Sequence, residues 1–284
     1  MVKDFASNKD VAAVTKPFNT LEEFVKRTKG KSVQSQILKY FNPVNTEQSL
    51  SIHNLLVDFI NLGGTSSEEF LYFTTNQMPR ELSELIEKKT QDQADCDLWF
   101  TLRYGRITAS KAHEASRCNT TDGMLVELLV GSQKLRNTKA MKRGKQLEAM
   151  VLRRVEQKLK RKFKKCGLFF SEQYPYLGAS PDAIDEEFVV EIKCPTSDKS
   201  FRTYIDTNNY DKVSIKYITQ IQMQMLFTGR KKALFIVVDP KFEEKNNFKS
   251  IIIDYDSELI DKLLKDLNRF WKKYIFKRLF NSLK

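Results

Sequence analysis

Histidine is scarce: His53 and His113 are the only two in 284 residues, and they lie far apart. That scarcity argues against a histidine-built zinc site and against a histidine general base. Cysteine is nearly as sparse. Cys96, Cys118, Cys166 and Cys194 are scattered with no C-x-x-C pair, so neither a zinc finger nor a disulfide framework is indicated. No apolar run approaches the ~18 residues of a membrane span, and the opening MVKDFASNKD lacks the apolar core of a signal peptide. No internal repeat is visible. The expectation is an intracellular, soluble protein without membrane association, whose chemistry runs on carboxylates, lysine and metal.

Hydrophobic residues make up 41% of the chain and charged residues 30%, an ordinary globular composition rather than a disordered one. The length allows one large domain, or one of roughly 180 residues with an appendage. Forty-eight Lys and Arg against 36 Asp and Glu give a net charge of +12, a common footprint of proteins that meet nucleic acid. The basic clusters at 139–145, 153–165 and 272–278 also fit exposed helix faces. Charge therefore supports a nucleic-acid partner without establishing it.

Residues 1–95 differ in texture from the rest, with apolar stretches at 21–25, 37–41, 55–62 and 70–73 separated by polar breaks. They are expected to form a mostly helical N-terminal appendage, with a second domain over 96–284. In that second part, Met141–Phe163 places Leu147, Val151, Val155 and Leu159 four apart, which predicts a helix with one apolar stripe. Short strands are predicted at 168–170 and 176–179, then a turn at 185–187 into a strand at 188–193. A helix over 213–227 ending at Gly229, strands at 234–238 and 250–255, and an amphipathic helix from Ser257 complete the pattern. This order predicts an α/β fold with a mixed central sheet flanked by helices.

Within Phe188–Pro195, FVVEIKCP, side chains alternate faces, so Glu191 and Lys193 project together while Val190, Ile192 and Cys194 face the other way. Asp182 lies just upstream in LGASPDAI. Two hard oxygen donors suit Mg²⁺ or Mn²⁺, and a neighbouring lysine can position or deprotonate a water that attacks phosphorus. An E-x-K triplet alone is common on solvated sheets, but the apolar flanks here imply burial, where charges are costly unless paired or metal-bound. A second block, Trp99–Ser110, leads arginine and small hydroxyl residues into a predicted helix start, a phosphate-binding arrangement. In a third, Tyr217–Met225, Gln220 and Gln224 lie one turn apart and can face one site.

Taken in order, W-x-x-L-R-x-G-x-I-T-A-S, G-K-Q-x-E at 144–148, S-P-D, E-I-K-C-P and Y-x-x-Q-x-Q-x-x-M resemble the lambda-exonuclease or YqaJ-type branch of the PD-(D/E)XK nucleases, which includes viral alkaline exonucleases. The resemblance covers about 97–242. It implies a restriction-endonuclease-like core over 96–284. It further implies that Asp182, Glu191, Glu148 and the Ile192 carbonyl hold two Mg²⁺ or Mn²⁺ ions, and that Lys193 orients or activates water. Gln220 and Gln222 match the family's glutamines beside the site. Arg103 and Ser110 match its holders of a 5′ phosphate, and Arg106, Thr108, Ser180 and Tyr217 are carried along as DNA contacts.

The expected function is metal-dependent 5′→3′ exonuclease action on linear duplex DNA with a 5′-phosphate end. Alternatives are an endonuclease on DNA or RNA with the same site, a catalytically inactive nucleic-acid-binding module, and an iron–sulfur repair nuclease. The last is disfavoured because no C-terminal cysteine trio follows Cys194. Residues 1–95 have no counterpart recognised in the minimal phage enzymes and are expected to serve a partner protein or substrate choice. The phage members form ring-shaped trimers, which leaves homo-oligomerisation open for this chain. A nuclear location is expected if the source is eukaryotic or viral. Burial of Lys193 beside metal is expected to depress its pKa, so that activity rises toward alkaline pH.

Overall fold

The computed structural model describes residues 47–284 apart from 76, 121–122, 132–138 and 206–211. The apolar stretches predicted at 21–25 and 37–41 lie outside the described residues. In chain order the helices are α1 (Ile52–Asn61), α2 (Ser67–Thr75), α3 (Arg80–Lys89), α4 (Asp97–Arg103), α5 (Ala109–Arg117), α6 (Met124–Val130), α7 (Lys139–Leu159), α8 (Asp198–Phe201), α9 (Ile215–Thr228), α10 (Phe242–Lys245), α11 (Ser257–Phe270) and α12 (Lys277–Ser282). The strands are β1 (Ile107–Thr108), β2 (Leu177–Gly178), β3 (Ala183–Ile184), β4 (Phe188–Lys193), β5 (Lys232–Val238) and β6 (Phe248–Asp254).

Four strands form a mixed sheet in the order β3-β4-β5-β6, with β4 and β5 parallel and both outer pairings antiparallel. A parallel pair needs a crossover, and α9 supplies it. The period-2 alternation of β4 sends Val190 and Ile192 to one face, where Leu147, Val151 and Val155 of α7 pack with Leu234 and Ile236. Val189 faces the other way and packs with Ile221 and Met225 of α9, Phe235 and Val237. The sheet is thus sandwiched between α7 and α9, as the sequence predicted.

Two boundaries differ instructively. The predicted helix over 141–163 stops at Leu159, because Lys160 adopts a left-handed conformation (φ 51°) that cannot continue a helix. Phe163 then turns into the core beneath α7. By contrast, α9 ends where expected, with Gly229 in the left-handed cap position (φ 73°).

The expected division at residue 95 falls inside one compact unit, Glu47–Lys284. Leu50, Met78, Leu82 and Ile86 share a core with Trp99, Leu102, Leu168 and Phe170. Further along, Ile52, Leu56, Phe59 and Phe70 join the apolar faces of α5 and α11 around Trp271. The described helices before α4 therefore complete the same hydrophobic interior.

Candidate active site

Glu191 is 3% exposed, and a buried carboxylate is tolerable only with strong partners. It has three. Oε1 accepts from Lys193 Nζ at 2.5 Å and from Gln220 Nε2 at 2.6 Å, and Oε2 accepts from Gln224 Nε2 at 2.6 Å. Gln220 and Gln224 reach one carboxylate because four residues advance a helix by little more than one full turn. The remaining amide oxygen of Gln224 is buried without a hydrogen-bond partner.

Gln222, two residues from each, sits on the far side of α9. Its Nε2 donates to the Asp254 carbonyl at 2.7 Å, and its Oε1 accepts from the Asp256 N–H at 2.8 Å. It joins the end of β6 to the start of α11 and does not meet Glu191. This corrects its expected place beside the carboxylates, which Gln224 takes instead.

Asp182 is held by the hairpin between β3 and β4. Its N–H donates to the Val190 carbonyl at 3.1 Å, and its Oδ2 accepts from the Ile192 N–H at 2.6 Å. The turn itself is closed by Asp185 Oδ1, which accepts from the backbone N–H groups of Glu187 and Phe188. Glu148 approaches from α7, next to the core residue Leu147. Burial, then the charges of Glu191 and Glu148, hold the Asp182 carboxyl well above the ordinary carboxylate range. Burial and Glu191 raise Glu148 likewise, partly offset by Lys193, Lys165 and Lys145. Arg143 ties α7 to the segment after Lys193, donating to the carbonyls of Pro195 and Pro240 at 2.9 Å and to Glu243.

Lys193 departs from its expected behaviour. Burial pulls its ammonium pKa down, but the charges of Glu191 and Asp182 and the hydrogen bond to Glu191 outweigh burial and shift it upward. A lysine held cationic donates hydrogen bonds and does not accept a proton. Tyr217 flanks it, with Lys193 Nζ 5.5 Å from the ring centroid. The Tyr217 ring in turn stacks on Phe235 and contacts Tyr204.

The second block folds onto the first through Trp99. Its indole Nε1 donates to Ser180 Oγ at 3.0 Å, next to Pro181 and Asp182, while Arg103 lies over its ring at 3.6 Å. Arg103 Nη2 reaches Thr108 Oγ1 at 3.5 Å, and Thr108 Oγ1 lies 3.3 Å from Ser110 Oγ. Burial lowers the Arg103 pKa to about 10. Among the described residues no carboxylate pairs with it, so a cation and two hydroxyls gather at Trp99, whose indole holds Ser180 two residues before Asp182. Sequence reading named Arg103, Thr108, Ser110 and Ser180 as site residues and gave no role to Trp99, the first residue of the block, which touches Arg103 and Ser180.

Arg106 is different. It is 0% exposed, and its guanidinium donates to the carbonyls of Pro175 at 2.9 Å, Leu102 at 2.6 Å and Leu50 at 2.5 Å. Burial alone lowers its pKa to about 9. With its donors directed into the protein, Arg106 is an internal brace, which corrects its expected role as a DNA contact.

The donor set suits a hard divalent cation: carboxylate oxygens from Asp182, Glu191 and Glu148, with mutual repulsion that raises two of the three. Among the described residues no three such side chains converge tightly enough to grip one ion as they stand, and Glu191 is engaged by Lys193 and two glutamines. A cation held here would be bound by these carboxylates in their ionised forms. This sets a pH dependence. Raised carboxyl pKa values stabilise the metal-free fold at low pH, and that stabilisation is lost as pH climbs through them. Cation binding needs the deprotonated forms. The rise in Tm on adding Mg²⁺ is therefore expected to be larger at about pH 8 than at about pH 5.5, by differential scanning fluorimetry. An equal rise at both, or one retained in Asp182→Asn, would place the ion elsewhere.

Residues 98–231 match the family described as a YqaJ-like viral recombinase domain. The alkaline exonuclease LHK-Exo from Laribacter hongkongensis, solved in complex with dAMP, superposes with a TM-score of 0.54 at 26% identity, covering 65% of this chain and 93% of that one. The shutoff and exonuclease protein of Kaposi's sarcoma-associated herpesvirus shares the fold, with a TM-score of 0.51 at 13% identity over 93% of this chain and 92% of that one. No curated protein sequence matches the chain. Over residues 98–231 the chain is similar to the YqaJ, lambda-exonuclease branch of the PD-(D/E)XK nucleases, and it shares the fold of the alkaline exonucleases.

Proposed function

We propose that the protein is a Mg²⁺- or Mn²⁺-dependent exodeoxyribonuclease that degrades linear duplex DNA from a 5′-phosphorylated end. The observation that supports this reading is the link through Trp99 and Ser180 between the segment carrying Asp182 and a half-buried Arg103, which has no ion-pair partner among the described residues and lies with Thr108 and Ser110. In the proposed reaction, water attacks the scissile phosphorus in line with the 3′ oxygen. The P–O3′ bond breaks and leaves a new 5′ phosphate on the remaining strand.

Asp182, Glu191, Glu148 and the Ile192 carbonyl are the groups proposed to hold the cation, which when bound supplies Lewis-acid stabilisation of charge at phosphorus. Gln220 and Gln224 keep the Glu191 carboxylate oriented. Lys193, cationic beside it, donates to the attacking water or a phosphate oxygen. Arg103, backed by the indole of Trp99 and assisted by Ser110, binds the terminal phosphate with charge-assisted hydrogen bonds.

The test is digestion of linear duplexes bearing a 5′ phosphate or a 5′ hydroxyl beside a covalently closed circle, with Mg²⁺ and with EDTA. The expected result is cleavage of the linear substrates only, faster from the phosphorylated end, and none in EDTA. Arg103→Ala is expected to lower kcat/KM on the phosphorylated duplex by about 10- to 100-fold, as loss of a charged hydrogen bond predicts, with little effect on the hydroxyl end. Cleavage of the circle, or of RNA in preference to DNA, would replace this reading with an endonuclease.

A further inference from the structure

We propose that the exposed basic surface at the C-terminal end of α7, built from Arg153, Lys160, Lys164 and Lys165, is a track for the phosphate backbone of duplex DNA beside the carboxylate cluster. The inference rests on the nuclease reading above and adds where the substrate lies.

Between residues 153 and 165 there are eight cationic side chains and one acidic residue, Glu156. The nearby acids are already engaged. Asp185 and Glu187 accept from Arg161 at 2.7 and 2.8 Å, and Glu187 also pairs with Lys232 at 3.0 Å. Glu156 accepts the Phe163 N–H at 3.0 Å and lies 3.6 Å from Lys162. Among the described residues, Arg153, Lys160, Lys164 and Lys165 have no ion-pair partner. The favourable field of a helix C-terminus accounts for one or two such cations within the last turn. It does not account for a run that continues past the helix.

The backbone that carries the run is fixed. Phe163 and Cys166 are buried on either side of Lys164 and Lys165, and Lys164 exchanges backbone hydrogen bonds with Ile184 at 2.7 and 2.9 Å. Ile184 is two residues along from Asp182. At the other end, Arg153 and Lys160 line a cleft of about 500 Å³.

Unpaired like charges on a rigid ribbon fit a polyanion with regularly spaced charges. Fully extended, Lys160 to Lys165 spans at most about 17 Å, the axial rise of about five nucleotides of one strand. An anionic bilayer is a poorer partner, because the run exposes one large apolar side chain, Leu159, and little that could enter the lipid.

The test compares the wild type with the triple variant Arg153→Gln/Lys160→Gln/Lys164→Gln, all outside the proposed metal and phosphate groups. Binding to a fluorescent duplex is measured in EDTA across a salt series, and hydrolysis in Mg²⁺. The slope of log affinity against log salt is expected to fall by about 2.7, or about 0.9 for each phosphate no longer neutralised. KM is expected to rise at least about tenfold at ~0.1 M salt with kcat retained, and the charge-conserving variant Arg153→Lys/Lys160→Arg/Lys164→Arg is expected to bind like wild type. An unchanged salt slope in a variant with wild-type Tm would overturn the track while leaving the nuclease reading intact. Weakening confined to duplex RNA or to anionic vesicles would overturn it too. If the wild type neither binds nor cuts duplex DNA, the nuclease reading itself fails.

Discussion

Lys193→Met is expected to lower kcat by about a thousandfold, within the ~10²- to 10⁴-fold range of a lost proton-donating or orienting group. Lys193 is the cation that touches Glu191, 2.5 Å away. Its removal also leaves the metal-free cluster without that ammonium. The variant should therefore melt at a lower temperature than wild type in EDTA and recover most of the difference in Mg²⁺. Because Lys193 Nζ occupies Glu191 Oε1 in the metal-free site, Mg²⁺ is expected to bind the variant at least as tightly, which calorimetry can read. Activity and metal affinity are thus expected to move in opposite directions, which simple unfolding does not produce. Hydrolysis within tenfold of wild type would remove Lys193 from the catalytic centre.

Arg106→Met should produce the largest loss of stability. The guanidinium is fully buried and serves carbonyls from three separate segments. Methionine fills much of the volume but orphans all three acceptors. Each buried unsatisfied polar group costs about 1–3 kcal/mol, and relaxation of the neighbouring backbone recovers part of that. A net destabilisation of about 3–5 kcal/mol is expected from chemical denaturation, a large fraction of a typical domain's stability. Arg103→Ala, three residues away, should shift the midpoint much less while removing preference for the phosphorylated end. The opposite pairing, with Arg106 controlling end preference and Arg103 controlling stability, would reverse the two assignments.

The contrast between these arginines marks what a one-dimensional reading can reach. Both stand in the same block, and their local neighbours do not say which is internal. The decision is made by the carbonyls of Leu50 and Pro175, 56 and 69 residues away. Side-chain periodicity travelled further. The alternation of β4 correctly put Glu191 on the face opposite Val190 and Ile192. Helical spacing paired Gln220 with Gln224, whereas the family resemblance pointed to Gln222, about 200° around the helix from Gln220. For Lys193, burial was legible from its apolar flanks, but its outcome depended on the convergence of Asp182 and Glu191, which only the folded hairpin provides. The textural change near residue 95 is one of composition, and apolar side chains on its two sides share a core. Leu82 and Ile86 carry the same apolar character as Leu168 and pack directly with it.

Gly105, between the two arginines, has a left-handed backbone (φ 71°), and a side chain there would press on Ile52 and Leu279. Its carbonyl receives the indole N–H of Trp271 at 2.7 Å. Ile52 precedes the family-matched segment, and both Trp271 and Leu279 follow it. The stretch that evolution has labelled as a domain is therefore not a portable part. Transplanted alone, residues 98–231 would arrive with this turn stripped of its supports on both flanks, so a chimaera carrying the chemistry must also inherit the helices on either side.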